Sequence, residues 1–441
     1  MSDVIDLLHK AISKSPAEQT ELVREAEEFF LTRFAENVIH QNMGRSDSTI
    51  WCRAINGRKI GIARTNELRY DSIIKTILRA HEISLLSPED AQLTGFRKSP
   101  KASPSRGFHE STALCPPAAR AEAVGKIVGI AERNALSAAG MYQTSTTSLA
   151  VVNSLGTVQE DRVAEARLSL TMTGSEGRAG FAQAFSRDVT RIDVEALAEA
   201  ACRKAEKTSE PAALSPGKYT VILDPEAVAD FLLFLGFLGF AGKGMVSKRS
   251  FMADKIGSRI MSELVSVYED PDDDEMAYMP FDYEGVPRKR VALVENGIAR
   301  GAVYDNYYAS VMSLESTGNA LQPGNSFGPY PKAMSMLPGK FPLADLISRA
   351  NRAIWITHFW YLNYVNPMQT TVTGTTRDGT FLVENGKVTR RLKDMRIQQS
   401  MLEAFNNIEA VSVERRVVPK YGALMRVPTL LIKDFNCTAV V

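Results

Sequence analysis

The chain has 441 residues, 44% of them hydrophobic, enough for about three domains of roughly 150 residues each and for real cores. Lysine plus arginine number 52 against 51 aspartate plus glutamate, and a net charge of +1 supplies no global field to hold the protein on nucleic acid or on a membrane. Cys52, Cys115, Cys202 and Cys437 are scattered without a CxxC pair, and residues 2–8 carry early acids where a signal peptide needs a long apolar core; we therefore expect a cytoplasmic protein with reduced thiols.

In chain order, Ser2-Asp3 caps an amphipathic helix reaching about Ser13, with Val4, Leu7, Leu8 and Ala11 on one face. Residues 18–36 pose a conflict. Their Glu, Arg and Leu favour helix, whereas Phe29-Phe30-Leu31-Thr32-Arg33-Phe34 and Val38-Ile39-His40-Gln41 read equally as strands. Strand formers fill 48–55 and 59–64, joined at Asn56-Gly57, a dipeptide that favours a type I′ hairpin turn. Leu68, Ile73, Ile74, Ile77, Leu78 and Ile83 predict a helix within 66–86. From 87 to 117 the chain fills with Ser, Pro, Lys and Gly and loses its periodicity. We read residues 1–90 as an N-terminal α/β domain and 91–117 as a linker.

A helix over 118–138 follows, with Ala121, Val124, Ile127, Val128 and Ile130 in register. Strands are predicted at 142–152, 157–164, 168–172 and 180–185, divided by Asn153-Ser154-Leu155-Gly156 and Gly174-Ser175-Glu176-Gly177, and a helix over 194–207 closes a middle α+β domain at 118–210.

The C-terminal domain, 216–441, opens with the strand Tyr219-Thr220-Val221-Ile222-Leu223. Asp224 can then cap a helix whose first residue is Pro225, since proline lacks the N–H that would be orphaned there. Phe231-Leu232-Leu233-Phe234-Leu235-Gly236-Phe237-Leu238-Gly239-Phe240 is apolar on every face, which predicts a core helix; it is shorter than the roughly 20 apolar residues a bilayer needs. Its two glycines suggest close approach of another backbone. Farther on, Val291–Ile298 and Thr380–Val388 each read as strand, Asn-Gly turn and returning strand, which predicts an antiparallel C-terminal sheet around that helix. The fold class is α+β: an N-terminal α/β layer, a middle α+β layer and a C-terminal antiparallel β domain.

The order of these motifs, together with Pro280-Phe281-Asp282-Tyr283-Glu284-Gly285-Val286, Ser316-Thr317-Gly318-Asn319-Ala320, Leu337-Pro338-Gly339 and Thr376-Arg377-Asp378-Gly379, resembles the TldD/PmbA family over nearly the whole chain. Arg33-Phe34-Ala35-Glu36-Asn37 followed by Ile39-His40-Gln41 looks like that family's N-terminal sheet, and on that ground the strand assignment is preferred for 18–36. TldD-type members carry a zinc-peptidase HExxxH motif on the central helix; TldE/PmbA-type members lack it. By approximate register Leu235 and Phe240 stand at the histidines and Gly236 at the glutamate. Neither apolar side chain has a lone pair for zinc, and glycine is no base. The third ligand of TldD-type members is a late cysteine, and the matching region here, Val417–Leu424, holds none; Cys437, beyond the last predicted strand at 429–432, is a poor substitute. The resemblance thus implies a TldE/PmbA-like subunit without catalytic or metal residues of its own. A TldD-like partner would supply zinc, and the pair would form a cytoplasmic metalloprotease acting on small or unfolded peptides. The alternative is a homodimeric peptide- or ligand-binding protein with no hydrolytic activity.

Other features have plainer explanations. His81-Glu82 and His109-Glu110 begin like zincin motifs but lack a second histidine one turn on. The acidic run Glu269–Glu275 lacks the central glycine of a calcium loop and reads as a solvated turn. No P-loop, Gly-rich dinucleotide turn or GxSxG elbow occurs. The aromatic segment around His358, Trp360 and Tyr361, with Arg377 and Asp378 shortly after, suits a peptide groove or subunit interface, or a core strand with a polar edge.

Overall fold

The computed structural model describes residues 2–175, 177–206 and 211–441. Its first half builds one six-stranded antiparallel sheet, in the order β3-β2-β1-β4-β5-β6, from β1 (Gln19–Ala35), β2 (Val38–Asn56), β3 (Lys59–Thr65), β4 (Ser137–Asn153), β5 (Val158–Thr173) and β6 (Ala179–Ser186). The conflict at 18–36 resolves as strand because β1 is central: it pairs with β2 on one side and with β4 on the other, from Glu21 opposite Asn153 to Phe34 opposite Gly140. Two ladders satisfy the backbone groups of β1, and that pairing overrides its helix-favouring composition. Strands from 1–90 and from 118–210 are therefore neighbours in one sheet. The predicted 157–164 and 168–172 merge into the single strand β5.

Turn chemistry decides the hairpins. Glu36 and Asn37 both take left-handed φ (51° and 62°), the type I′ pattern, and join β1 to β2. Between β2 and β3 the reversal falls on Gly57-Arg58, one residue later than expected: Asn56 stays in the ladder opposite Lys59, and of the two turn residues only Gly57 has positive φ (58°), the type II′ pattern. Asn56 Nδ2 is instead donated to Ser84 Oγ at 2.6 Å, tying the hairpin to a helix.

Helices cover the sheet: α1 (Asp3–Ile12), α2 (Tyr70–Leu86), the short α3 (Glu110–Ala113), α4 (Pro117–Arg133) and α5 (Val194–Ala205). Ser2 Oγ caps α1 by accepting from the Ile5 amide, and Ile5, Leu8, Ala11 and Ile12 are buried beneath it. Glu176, in a predicted turn, and Lys207, the predicted end of α5, lie outside the described residues. The expected linker is pinned along the start of β5 by alternate residues, Thr157 just before the strand and Gln159 and Asp161 on it: Ser99 N donates to Thr157 Oγ1, Ala102 N to Gln159 Oε1 and Ser105 N to Asp161 Oδ2, at 2.9, 3.1 and 2.6 Å.

The second half is a thirteen-stranded sheet built from β7 (Gly217–Leu223), β8 (Val267–Glu269), β9 (Val291–Glu295), β10 (Ile298–Ala299), β11 (Ala333–Met336), β12 (Arg352–Ile356), β13 (Phe359–Asn366), β14 (Thr371–Thr376), β15 (Thr380–Glu384), β16 (Lys387–Arg391), β17 (Met395–Ser400), β18 (Ile408–Lys420) and β19 (Ala423–Val440). Both predicted hairpins form, each over a type I′ Asn-Gly turn, at Asn296-Gly297 and Asn385-Gly386. The purely antiparallel expectation fails, however. The pairs β7–β12 and β11–β19 are parallel, which the long crossings between those strands permit. Cys437 lies inside β19, buried opposite Gly217, and not beyond the last strand as expected.

Helix α6 (Pro225–Leu238) leaves the end of β7 and packs among β13, β18 and β19. The Phe231, Phe359 and Phe435 rings form a cluster of near-parallel planes, with Phe231 5.3 Å from Phe359 and 6.1 Å from Phe435, each such buried ring contributing about 2–3 kcal/mol. The acidic run is not a solvated turn throughout. Glu269 is fully buried in β8, accepting from Ala333 N and Asn319 Nδ2 at 2.9 Å each, and Asp273 accepts from Arg426 at 3.0 Å. Burial of these acids is tolerated because each is hydrogen-bonded. Among the described residues, no helix is long and apolar enough to cross a membrane.

Candidate functional site

The two halves of α6 differ in character. Toward its C-terminal end, Leu235 and Phe240 are fully buried in the apolar core, and Phe240 stands beyond the helix, which closes at Gly239. A Cβ placed on Gly236 would come within 2.7 Å of Tyr330 Oη, whose hydroxyl donates to Leu233 O at 3.0 Å. The glycine is thus required by close packing against a tyrosine. These three positions do not fit zinc: no lone pair is present and no space is open. Among the described residues, no three His, Cys, Asp or Glu side chains gather where they could hold a metal. The Val417–Leu424 region runs through the turn from β18 to β19, and burial pushes the Cys437 thiol up to about 12, away from the thiolate a metal needs.

The N-terminal half of α6 is charged, which the sequence reading missed. Asp224 occupies the cap position, but its side chain makes no capping bond; Oδ1 accepts from Trp355 Nε1 at 2.8 Å and Oδ2 faces Lys204 at 3.7 Å and Arg416 at 3.6 Å. Indole and cations outcompete the helix N–H groups for this carboxylate. Arg416 Nη2 reaches Glu226 Oε2 at 3.0 Å, and Lys420 Nζ reaches Asp230 Oδ1 at 2.5 Å. Burial raises Asp224 and Asp230 above the usual carboxylate range; Glu226 is equally buried, but Arg416 and Lys204 outweigh the desolvation and hold it low. A sequence signal for this cluster existed. Glu226 and Asp230 are four apart on a helix, and Arg416 and Lys420 are four apart on a strand, so each pair shares a face.

Beside this cluster opens a cleft of about 590 Å³ between α5, β6 and the C-terminal sheet. Trp355, Phe381, Leu343 and Val388 give it an apolar floor, and Lys204, Arg416 and Glu414 a charged rim. Strand β16 pairs with β15 and borders the cleft through Val388, and at its end Arg391 O accepts from Ala212 N at 2.9 Å. The acids here are held in pairs, an arrangement suited to holding a ligand more than to moving protons.

The residues singled out from the aromatic segment lie next door, on β13, β14 and the chain beside them, and do not line this cleft. Four come together: His358 Nε2 is 3.6 Å and Arg377 Nε 3.7 Å from Asp378 Oδ2, and the Arg377 guanidinium sits over the Trp360 ring at 4.3 Å. Tyr361 projects outward, 75% exposed. His358 packs on Phe181 and is pushed down to about 3 by burial, against the opposing pull of Glu226, so its imidazole is neutral; Nδ1 has no hydrogen-bond partner.

Residues 216–439 match the PmbA/TldA metallopeptidase C-terminal domain, and residues 111–208 match the central domain. A protein named metalloprotease TldD homolog from Buchnera aphidicola is 24% identical over 417 residues, covering 85% of this chain and 81% of that protein. A metalloprotease from Methanothermobacter thermautotrophicus is 25% identical over 294 residues, 63% of this chain and 62% of that protein. Among solved structures, TldE from Thermococcus kodakarensis superposes with a TM-score of 0.90 at 22% identity, covering 98% of this chain and 100% of that one. At that identity the likeness establishes the fold.

Proposed function

The chain belongs to the PmbA/TldD metallopeptidase family, and from that premise we propose that it is the TldE/PmbA-like, non-catalytic subunit of a TldD/TldE-type metalloprotease acting on small or unfolded peptides. The observation that carries this proposal is the packing of Leu235, Gly236 and Phe240, where a zinc motif would stand. A TldD-like chain would supply the zinc and the catalytic glutamate. This chain would complete the enclosure and hold substrate, with the cleft beside α6 offering an apolar floor and a charged rim for an extended peptide.

A second possibility, a homodimeric peptide-binding protein without a hydrolytic partner, draws on the exposed strip of Trp360, Tyr361, Val365 and Met368. One experiment separates the two. The untagged chain is expressed alone, its zinc measured by elemental mass spectrometry, and cleavage of an unfolded peptide assayed with and without a TldD-like chain. We expect zinc far below one per chain and cleavage only with the partner. Zinc near one per chain, lost on chelation, or cleavage by this chain alone, would overturn the proposal. A stable homodimer that stays inert on mixing would favour the second possibility.

A further inference from the structure

A different cavity, of about 210 Å³, lies where the six-stranded sheet meets the segment 276–288 of the C-terminal half. One wall is apolar, formed by Leu149, Val163 and Phe281. The other is densely charged, with Arg167, Arg187, Arg288 and Lys332 facing Glu25, Glu27 and Glu165.

The bonds within this wall leave donors unsatisfied on three cationic side chains, Arg167, Arg288 and Lys332. Arg187 is spent on the chain, donating Nε to Met276 O at 2.7 Å and Nη1 to Ala164 O at 3.1 Å. Arg167 is held by Glu165 at 2.8 Å through Nη2, while its buried Nε has no partner. Glu25 accepts from the Tyr283 hydroxyl at 2.6 Å, and Gln322 donates to that same hydroxyl at 2.9 Å. Arg288, whose side chain is only 3% exposed, reaches Glu269 at 3.4 Å through Nη1, while its buried Nε has no partner. Among the described residues, Lys332 Nζ makes neither a hydrogen bond nor an ion pair. A buried guanidinium N–H without an acceptor is destabilising, so a cavity at its side invites an acceptor.

We propose that this cavity binds a small organic carboxylate, its head between Lys332 Nζ and Arg288 Nε and its apolar part on Leu149, Val163 and Phe281. The carboxylate would supply acceptors to the orphaned donors of Lys332 and Arg288, while the apolar wall selects an organic anion over an inorganic one. The state of Lys332 agrees. Burial lowers its ammonium to about 8, Arg288 adds to that shift, and Glu25 and Glu269 oppose it without cancelling it. An anion beside Lys332 would move its ammonium back toward the ordinary lysine range. The site stands apart from the α6 cleft and does not depend on a metalloprotease partner.

The test uses the full chain with benzoate as probe and benzamide as its uncharged match. Calorimetry is expected to show one saturable benzoate per chain, with benzamide at least tenfold weaker. Lys332→Met, which breaks no internal ion pair, should weaken benzoate at least tenfold while leaving the melting temperature unchanged. In the unmodified protein, reductive methylation followed by peptide mass spectrometry should find Lys332 protected by benzoate, a readout that needs no variant. Absence of saturable benzoate binding, equal affinity for benzamide, inorganic phosphate binding in its place, or Lys332 labelling that benzoate does not slow would each overturn the assignment.

Discussion

Arg416 Nη2 lies 3.0 Å from Glu226 Oε2, and one helical turn further along α6 Lys420 Nζ lies 2.5 Å from Asp230 Oδ1, so β18 is clamped to the central helix at two successive points. Removing one partner of a buried pair strands the other charge, at a cost of roughly 3–5 kcal/mol when both are fully buried. The Arg416 side chain is 43% exposed, so water replaces part of what is lost. We expect Arg416→Met to destabilise the protein by about 2 kcal/mol in urea denaturation, and Glu226→Gln in the same chain to recover part of it. A loss below about 0.5 kcal/mol would show that the clamp does not hold the helix.

Much of this architecture was legible in the residues. The helix at Pro225, the Asn-Gly hairpins at Asn296-Gly297 and Asn385-Gly386 and the apolar character of Leu235, Gly236 and Phe240 all follow from local chemistry that the structure keeps. What escaped were relations between distant segments. Asp224 looked like a cap because nothing in its neighbourhood announces Trp355, Lys204 and Arg416, which arrive from elsewhere in the chain. The parallel pairs of the C-terminal sheet were invisible for a similar reason, since hairpin signals report only antiparallel neighbours. In the aromatic segment the contacts among His358, Arg377, Asp378 and Trp360 match residue types picked out together, but the adjoining cleft is lined by others.

His358 makes stability depend on pH in a defined window. Burial holds its folded value down at about 3, below the ordinary 6.5, so between those limits the unfolded chain binds a proton that the folded chain does not. Its contribution is therefore complete above pH 6.5 and is lost as pH falls toward 3, at about 1.4 kcal/mol per pH unit. In His358→Gln, the slope of unfolding free energy between pH 6.5 and 5 should be shallower than in the parent by that amount. Identical slopes would mean that His358 is protonated in the folded protein.

Gly180 sets the distance between β6 and α5. A Cβ there would lie 2.1 Å from Ala201 O and 2.7 Å from Lys204 Cβ, too close for either to stay in place. Gly180→Ala should push α5 outward, weaken the Lys204–Asp224 contact across the cleft and cost about 2 kcal/mol or more. Hydrogen exchange would register this as lost protection in α5. Unchanged protection there would contradict the close approach.

Restoring histidines at Leu235 and Phe240 tests whether the central helix has merely lost its ligands or has been rebuilt around their absence. Both positions lie in dry core, and each imidazole would bury polar nitrogens without partners, so Leu235→His with Phe240→His should cost about 3 kcal/mol or more. Phe240 also stands past the Gly239 cap, and Tyr330 closes the space at Gly236 where a glutamate would sit. We therefore expect that zinc does not stabilise the double variant. A metal that binds the folded state stabilises it by about 2.7 kcal/mol at a hundredfold excess over its dissociation constant, so denaturation curves with and without zinc decide the question. Coincident curves would mean that repacking, as well as ligand loss, separates this helix from a zinc-binding one; a zinc-dependent rise would mean that two substitutions suffice to reopen the site.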